Sequence, residues 1–208
     1  MAVPDADGSE VAAPDPAPLI HGAVLVGGGS RRMGRAKQCL EIGQRTLTEV
    51  AVAALEGQVE RVVLVGGGPV PDALRGLERL DDPAGIAGPM AGVLAALQRA
   101  PDAAWIVAAC DMPLLSPAAV RWLLSCRRRG IWAVLPRPRG GVVEPLLAVY
   151  EPRARLVVER LVAEGKWGLR RLAGLDGVFS PSPPPHLLQA WQDVNTPEQF
   201  RASLDLFV

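Results

Sequence analysis

Short, continuously apolar segments alternate with helix-forming segments along most of the chain. Residues 23–26, 61–65 and 105–109 are the clearest of these apolar segments. Strands that are buried on both faces have this composition, because neither side of the pleat meets water. Helices placed between such strands favour right-handed crossovers and a parallel sheet. We therefore predict a three-layer α/β fold, with a mostly parallel central sheet covered by helices on both faces.

Several helix boundaries are marked by capping residues. Thr46 and Glu49 have the spacing of a capping box, in which each side chain bonds the other residue's main-chain N–H group. Ser116 opens another helix, which we expect to end at Gly130. The three arginines 127–129 would then complement the dipole at the C-terminus of that helix.

The length and charge of the chain exclude several classes of protein. Its 208 residues suit one domain with a substantial core, and we assign residues 21–208 to that domain. Residues 1–20 are rich in Pro, Ala and Asp, and we expect a disordered tail there. Lys and Arg together number 22, as do Asp and Glu, so no basic excess is present for a nucleic-acid partner. No apolar run approaches the ~18 residues of a membrane span.

The cysteines indicate a reducing environment. Cys39, Cys110 and Cys126 fit no zinc-binding spacing, and an odd number argues against a disulfide framework. Reduced thiols are typical of the cytoplasm, so we expect a cytoplasmic protein.

The segment that follows the first apolar run, residues 27–37, combines three consecutive glycines with three arginines and a lysine. Consecutive glycines let main-chain N–H groups turn inward as a nest for an anion. A Walker A loop would need Lys and Ser or Thr after Gly34, and a dinucleotide fingerprint would need glycine in place of Arg32. The positive charge and the nest favour a nucleoside triphosphate over a neutral ligand, and a glycine-rich turn with surface arginines is the alternative.

Acidic residues follow two of the predicted strands. Asp111 comes directly after the strand at 105–110, and Asp81 and Asp82 follow a short strand at 78–80. Ligands of parallel sheets bind outside the carboxyl ends of the strands. A carboxylate at Asp111 can hold Mg²⁺ against phosphates, and it can equally cap the turn before the next helix.

The glycine-rich segment resembles the signature L-x-G-G-x-S-x-R-M-G-x-x-K of the molybdenum cofactor guanylyltransferases and their nucleotidyltransferase relatives. Further motifs of this family resemble four later segments, namely residues 88–92, 110–113, 144–146 and 194–198. The resemblance therefore extends over roughly residues 20 to 200. The residues at the fixed positions of the signature are Leu25, Gly27, Gly28, Ser30, Arg32, Met33, Gly34 and Lys37.

This resemblance implies a Rossmann-like nucleotidyltransferase fold and a Mg²⁺-dependent guanylyltransferase. GTP would bind the glycine-rich segment, and Mg²⁺ would bridge its phosphates. The terminal phosphate of a molybdopterin cofactor would attack the α-phosphate and release pyrophosphate. GTP and the molybdopterin cofactor are thus the implied partners, together with transient contacts to other cofactor-biosynthesis or acceptor proteins.

The resemblance also implies roles for individual residues. The catalytic residues would be Arg32, Lys37 and Asp111, with Asp111 as the metal ligand. The acceptor would contact Glu144, Pro145 and Asn195. The nucleotide would contact Leu25, Val26, Gly27, Gly28, Gly29, Ser30, Lys37, Asp82, Gly88 and Asp111.

Two departures from the family pattern leave the choice of base open. Residues 66–68 are glycines where family members often carry an asparagine that contacts the nucleotide, and Asp193 stands where an asparagine is usual. Cytidylyl transfer to the same cofactor, transfer to another small molecule and nucleotide binding without turnover therefore remain alternatives.

Overall fold

The strands of this computed structural model form two sheets within the described residues, which are 18–27, 36–138 and 140–205. Seven strands make the central sheet, and β2 and β3 pair as a separate two-stranded sheet. In chain order the strands are β1 (Ile20–Leu25), β2 (Glu41–Ile42), β3 (Arg45–Thr46), β4 (Arg61–Val65), β5 (Arg79–Leu80), β6 (Ala104–Ala109), β7 (Ala133–Val134), β8 (Leu147–Tyr150) and β9 (Val178–Phe179).

Five α-helices and four short 3₁₀ helices connect these strands in the described part of the chain. The capping box at the start of the first helix is confirmed, because the Thr46 side chain accepts from the Glu49 N–H and the Glu49 carboxylate accepts from the Thr46 N–H. The α-helices are α1 (Leu47–Leu55), α2 (Pro89–Arg99), α3 (Pro117–Ser125), α4 (Ala154–Ala163) and α5 (Pro197–Leu204). The 3₁₀ helices are Lys37–Cys39, Asp72–Leu74, Leu169–Gly174 and Pro185–Trp191.

The central sheet has the strand order β5-β4-β1-β6-β8-β7-β9. The pairs from β5 through β6 are parallel, whereas β8 runs antiparallel to both of its neighbours. The mostly parallel sheet is thus confirmed, and the reversal at β8 was not foreseen. A strand buried on both faces is apolar whichever way it runs, so its composition carries no information on direction.

Two hydrophobic clusters cover the two faces of the sheet. Val24 and Ile106 belong to a cluster that includes residues of α1, α3 and the 3₁₀ helix Pro185–Trp191. Their chain neighbours Ala23 and Val107 belong to the other cluster, with α2, α4 and the 3₁₀ helix Leu169–Gly174. This alternation follows from the two-residue period of a strand, and it produces the three predicted layers.

The expected extension of α3 to Gly130 is wrong. The helix ends at Ser125, because the chain then turns so that Arg127 can pair with Glu151 through Nε–Oε1 and Nη2–Oε2 contacts of 2.6 and 2.8 Å. Arg128 lies over the ring of Phe179 at 3.8 Å from its centroid. Arg127 and Arg128 therefore make specific tertiary contacts beyond the end of the helix.

The remaining expectations on organisation concern the first residues and membranes. β1 begins at Ile20, within the range assigned to the tail, and residues 1–17 lie outside the described part of the chain. None of the helices in the described residues combines the length and apolar character that a membrane span requires.

Candidate active site

A cavity of about 430 Å³ lies at the edge of the sheet where the parallel strands end. Leu25, Val65 and Ala109 line it, and they are the last residues of β1, β4 and β6. Glu144 also lines it, because β8 runs antiparallel and its N-terminal end reaches the same edge. The sheet order thus helps to bring residues from seven separate parts of the chain to one space.

Asp111 lies at the centre of this edge, directly after β6, and it contacts Lys37. The Lys37 Nζ atom donates to Asp111 Oδ2 at 3.2 Å and to Asn195 Oδ1 at 2.6 Å. The Asn195 amide in turn donates to Asp193 Oδ2 at 2.6 Å, and the Val194 N–H donates to the Asp111 carbonyl at 3.0 Å. This network ties the segment before α5 to the end of β6.

The electrostatic environment of Asp111 favours a bound cation. Burial raises the pKa of Asp111, the Lys37 ammonium counteracts this shift, and the nearby Asp193 carboxylate adds to it. A carboxylate in such surroundings is stabilised by positive charge. Hard oxygen donors of this kind fit Mg²⁺, which takes one or two carboxylates and completes its shell with water and phosphate oxygens. The described residues contain no cluster of three or more His, Cys, Asp or Glu side chains that could hold a metal ion.

The neighbouring Cys110 also lines the cavity, but its chemistry is different. The residue is buried, and burial raises the pKa of its thiol to about 12. A neutral thiol is a poor nucleophile, so the site is not arranged for covalent catalysis through sulfur.

The carboxylate of Asp82 has three glycines as neighbours, and these carry no side chains. A Cβ atom on Gly27, Gly66 or Gly92 would lie 4.0, 3.4 or 3.5 Å from its oxygens. Asp82 accepts no hydrogen bond from any described residue, and its pKa is raised by partial burial and by the charge of Asp81. Asp82 lines the cavity and its neighbour Asp81 does not. The carboxylate therefore lines the cavity with no hydrogen-bond donor supplied by the described residues.

The glycines 66–68, which follow β4, form a wall against Val26 and do not themselves line the cavity. Gly66 adopts a φ of +111°, which a side chain would strain. The Gly68 N–H donates to the Val26 carbonyl at 2.7 Å. Arg79 fixes this wall from the other side by donating to the carbonyls of Gly66 and Gly68.

Glu144 and Arg170 also line the cavity. Glu144 Oε1 accepts from the Leu146 N–H at 3.0 Å, and burial raises the pKa of the Glu144 carboxyl. Arg170 comes from the 3₁₀ helix Leu169–Gly174 and was missed by the sequence analysis. Its neighbours in sequence carry no motif, so no local signal could have identified it.

A search against protein-family models matches residues 22–177 to the MobA-like NTP transferase domain. The chain belongs to the MobA-like NTP transferase family. A relative from Opitutus terrae, named "Probable molybdenum cofactor guanylyltransferase", is 39% identical over 74% of this chain and 78% of its own length. A relative of the same name from Pelotomaculum thermopropionicum is 38% identical, and the matched segment spans 62% of either protein.

Solved structures share the fold of this MobA-like chain. Molybdopterin-guanine dinucleotide biosynthesis protein A from Archaeoglobus fulgidus has a TM-score of 0.73 at 24% identity, and the match covers 90% of this chain and 98% of that one. A nucleotidyl transferase from Methanothermobacter has a TM-score of 0.74 at 18% identity, covering 91% and 97%. At these identities the likeness establishes the architecture.

The structure places the site residues predicted for a MobA-like protein in three groups. Val26, Pro145 and Lys37 do not line the cavity. Lys37 is nevertheless connected to it, because its ammonium group donates a hydrogen bond to the lining residue Asp111. Four predicted residues lie outside the described residues, namely Gly28, Gly29, Ser30 and Arg32. The predicted residues that line the cavity are Leu25, Gly27, Asp82, Gly88, Asp111, Glu144 and Asn195.

Proposed function

We propose that this protein is a cytoplasmic, Mg²⁺-dependent guanylyltransferase that transfers GMP from GTP to the phosphate of a molybdopterin cofactor. The observation that carries this proposal is the contact between Lys37 and Asp111 in a cavity that also contains Asp82. The names of the relatives from Opitutus terrae and Pelotomaculum thermopropionicum supply the substrate class. Transient contacts with other cofactor-biosynthesis or acceptor proteins belong to the same proposal.

The reaction is a displacement at the α-phosphorus of GTP. An oxygen of the acceptor phosphate forms a bond to this phosphorus, the bond to the bridging α–β oxygen breaks, and its electron pair leaves with pyrophosphate. The acceptor phosphate is already ionised, so no residue has to remove a proton. Catalysis then depends on positioning and charge neutralisation, which a site of glycines, Lys37 and Asp111 can supply.

The residues divide this work. The main chain at Gly27 lies close to the nucleotide, while Lys37 neutralises phosphate charge and orients Asp111. Asp111 would hold Mg²⁺, and Asp193, which lines the same cavity, would add negative charge nearby. The metal, when bound, offsets the negative charge that accumulates on the phosphate oxygens.

The surroundings of Asp82 support GTP as the nucleotide. The base edge of guanine carries adjacent N–H donors at N1 and N2, and a carboxylate without a hydrogen-bond partner accepts from both. Cytosine has a single donor on this edge, its N4 amine, beside the acceptors N3 and O2, so it leaves the second carboxylate oxygen without a donor. A polar side chain that is placed to bind the edge of one base discriminates against another base that leaves this side chain without a hydrogen-bond partner. Residues 66–68 are glycines and offer no side chain that could select a base. CTP therefore remains the alternative nucleotide.

The experiment compares pyrophosphate release from the four NTPs, with Mg²⁺ and with or without molybdopterin. We expect release only with GTP and acceptor together. Release with CTP alone among the nucleotides would reassign the base. GTP binding without release under any condition would identify a nucleotide-binding domain without turnover. Asp111→Asn should abolish release, whereas Asp102→Asn, an exposed matched control, should not.

A further inference from the structure

The charges around the cavity are unevenly distributed. Four carboxylates line it, those of Asp82, Asp111, Glu144 and Asp193. Among the described lining residues, Arg170 is the only cation. Both substrates of the proposed reaction are anionic, so this wall needs positive charge where the second anion approaches.

The order of the strands separates two sides of the cavity. Gly27 and Asp82 follow β1 and β5, which lie on one side of β6. Glu144 precedes β8, which lies on the other side, and Asp111 follows β6 between them. If the nucleotide occupies the β1 side with its α-phosphate near Asp111, the acceptor has to approach from the β8 side.

Arg170 lies on that β8 side. Its 3₁₀ helix packs against β9, which lies beyond β8 and β7 in the sheet. Arg170 lines the same cavity as Glu144, Asp111 and Asp193, and its positive charge partly offsets the raised pKa of Glu144. Arg170 forms no hydrogen bond or ion pair with the described residues. Its five N–H donors are therefore available to a ligand.

The main chain that carries Arg170 is well fixed. Its neighbours Leu169 and Leu172 are buried in the cluster beneath α2 and α4. The Arg171 N–H donates to the Gly168 carbonyl and the Leu175 N–H to the Leu172 carbonyl, each at 3.0 Å. The backbone from which the Arg170 side chain extends is therefore fixed beside the cavity.

We propose that Arg170 binds the phosphate of the acceptor and positions it for attack. The inference rests on the proposed function and adds a specificity residue to it. A guanidinium group binds phosphate through two parallel N–H···O bonds, which fixes orientation as well as charge. Arg170 thereby offsets the repulsion that Glu144 and Asp193 exert on an incoming anion.

The test compares Arg170→Gln with Arg171→Gln in the full-length chain. Arg171 is the next residue, is also exposed and does not line the cavity, so it is a matched control. Arg170→Gln should raise the KM for the phosphorylated acceptor by roughly 10- to 100-fold, as expected for a charged hydrogen-bond pair. The Kd for GTP, measured by calorimetry, should change less than about twofold. Arg171→Gln should leave both constants unchanged.

A binding measurement separates this inference from the proposed function. Wild-type protein should bind molybdopterin more tightly than its dephosphorylated form, and Arg170→Gln should remove that preference. Equal acceptor constants for the Arg170 and Arg171 variants would overturn the role of Arg170. An intact phosphate preference in Arg170→Gln would overturn it even if no nucleotide were turned over. If Arg170→Gln does not fold, Arg170→Lys, which keeps the charge without the paired donors, must still raise the acceptor KM several-fold.

Discussion

The wall formed by the glycines 66–68 gives a quantitative prediction for Gly68→Ala. A Cβ atom at this position would lie 2.2 Å from the Gln38 amide nitrogen and 2.4 Å from the Val26 carbonyl oxygen. The Gln38 amide is the end of a side chain, but Gln38 is buried, so the amide has to move within packed surroundings. The Val26 oxygen belongs to the main chain, so the two segments must separate by about 1 Å to reach an ordinary contact.

This separation has two energetic consequences. Overpacking of this kind costs about 1–3 kcal/mol. The 2.7 Å hydrogen bond from the Gly68 N–H to the Val26 carbonyl is also lost, which costs about 1 kcal/mol. We therefore expect Gly68→Ala to lower the free energy of unfolding by about 2–4 kcal/mol. Because Val26 directly precedes Gly27, a shift of about 1 Å should also reduce kcat/KM for GTP by as much as roughly 100-fold.

Gly67→Ala is the matched control. A Cβ at Gly67 meets no atom within 4 Å, and its backbone is not in the left-handed region. The substitution should be neutral or should stabilise the protein by less than about 1 kcal/mol. Urea unfolding at 25 °C measures both variants, with GTP calorimetry on each. Free energies of unfolding for the two variants that agree within about 0.5 kcal/mol would refute the steric reasoning.

Three further predictions concern charged residues of the site. Lys37→Ala should weaken GTP binding, measured by calorimetry, by roughly 10- to 100-fold. The control is Lys166→Ala, which removes the only other lysine of the chain and should leave GTP binding unchanged. Asp82→Asn should lower kcat/KM for GTP by roughly 10-fold or more relative to CTP, because an amide no longer accepts from both guanine donors; an unchanged ratio would remove Asp82 from base selection. Burial raises the pKa of Glu144 in the folded chain, so its ionised form opposes folding once the pH rises above its unfolded pKa of about 4.3. Glu144→Gln should therefore raise Tm at pH 7, with a gain that shrinks toward pH 4; a gain independent of pH would contradict this origin.

Local chemistry explains which parts of the fold were predictable. The capping box of Thr46 and Glu49 is set by residues three apart, and the buried strands by their own composition. The end of α3 was missed because its cause, the pairing of Arg127 with Glu151, joins residues 24 positions apart. No local pattern contains that information.

The candidate site also contains some residues that could be predicted from the sequence and others that could not. Asp82 and Asp111 could be proposed because each follows a strand whose end was recognisable. The contact between Lys37 and Asn195 joins residues 158 positions apart, and the placement of Arg170 depends on how its 3₁₀ helix packs against the sheet. Such long-range geometry appears only once the chain is folded.

The central claim is that the bond broken is the one between the α- and β-phosphates of GTP. The direct test incubates the protein with Mg²⁺, molybdopterin and GTP that carries a radioactive label at either the α- or the γ-phosphate. We predict that the α-label enters the acceptor as a dinucleotide and that the γ-label appears only in pyrophosphate. Transfer of the γ-label to the acceptor, or an acceptor that stays unlabelled in both reactions, would contradict the account.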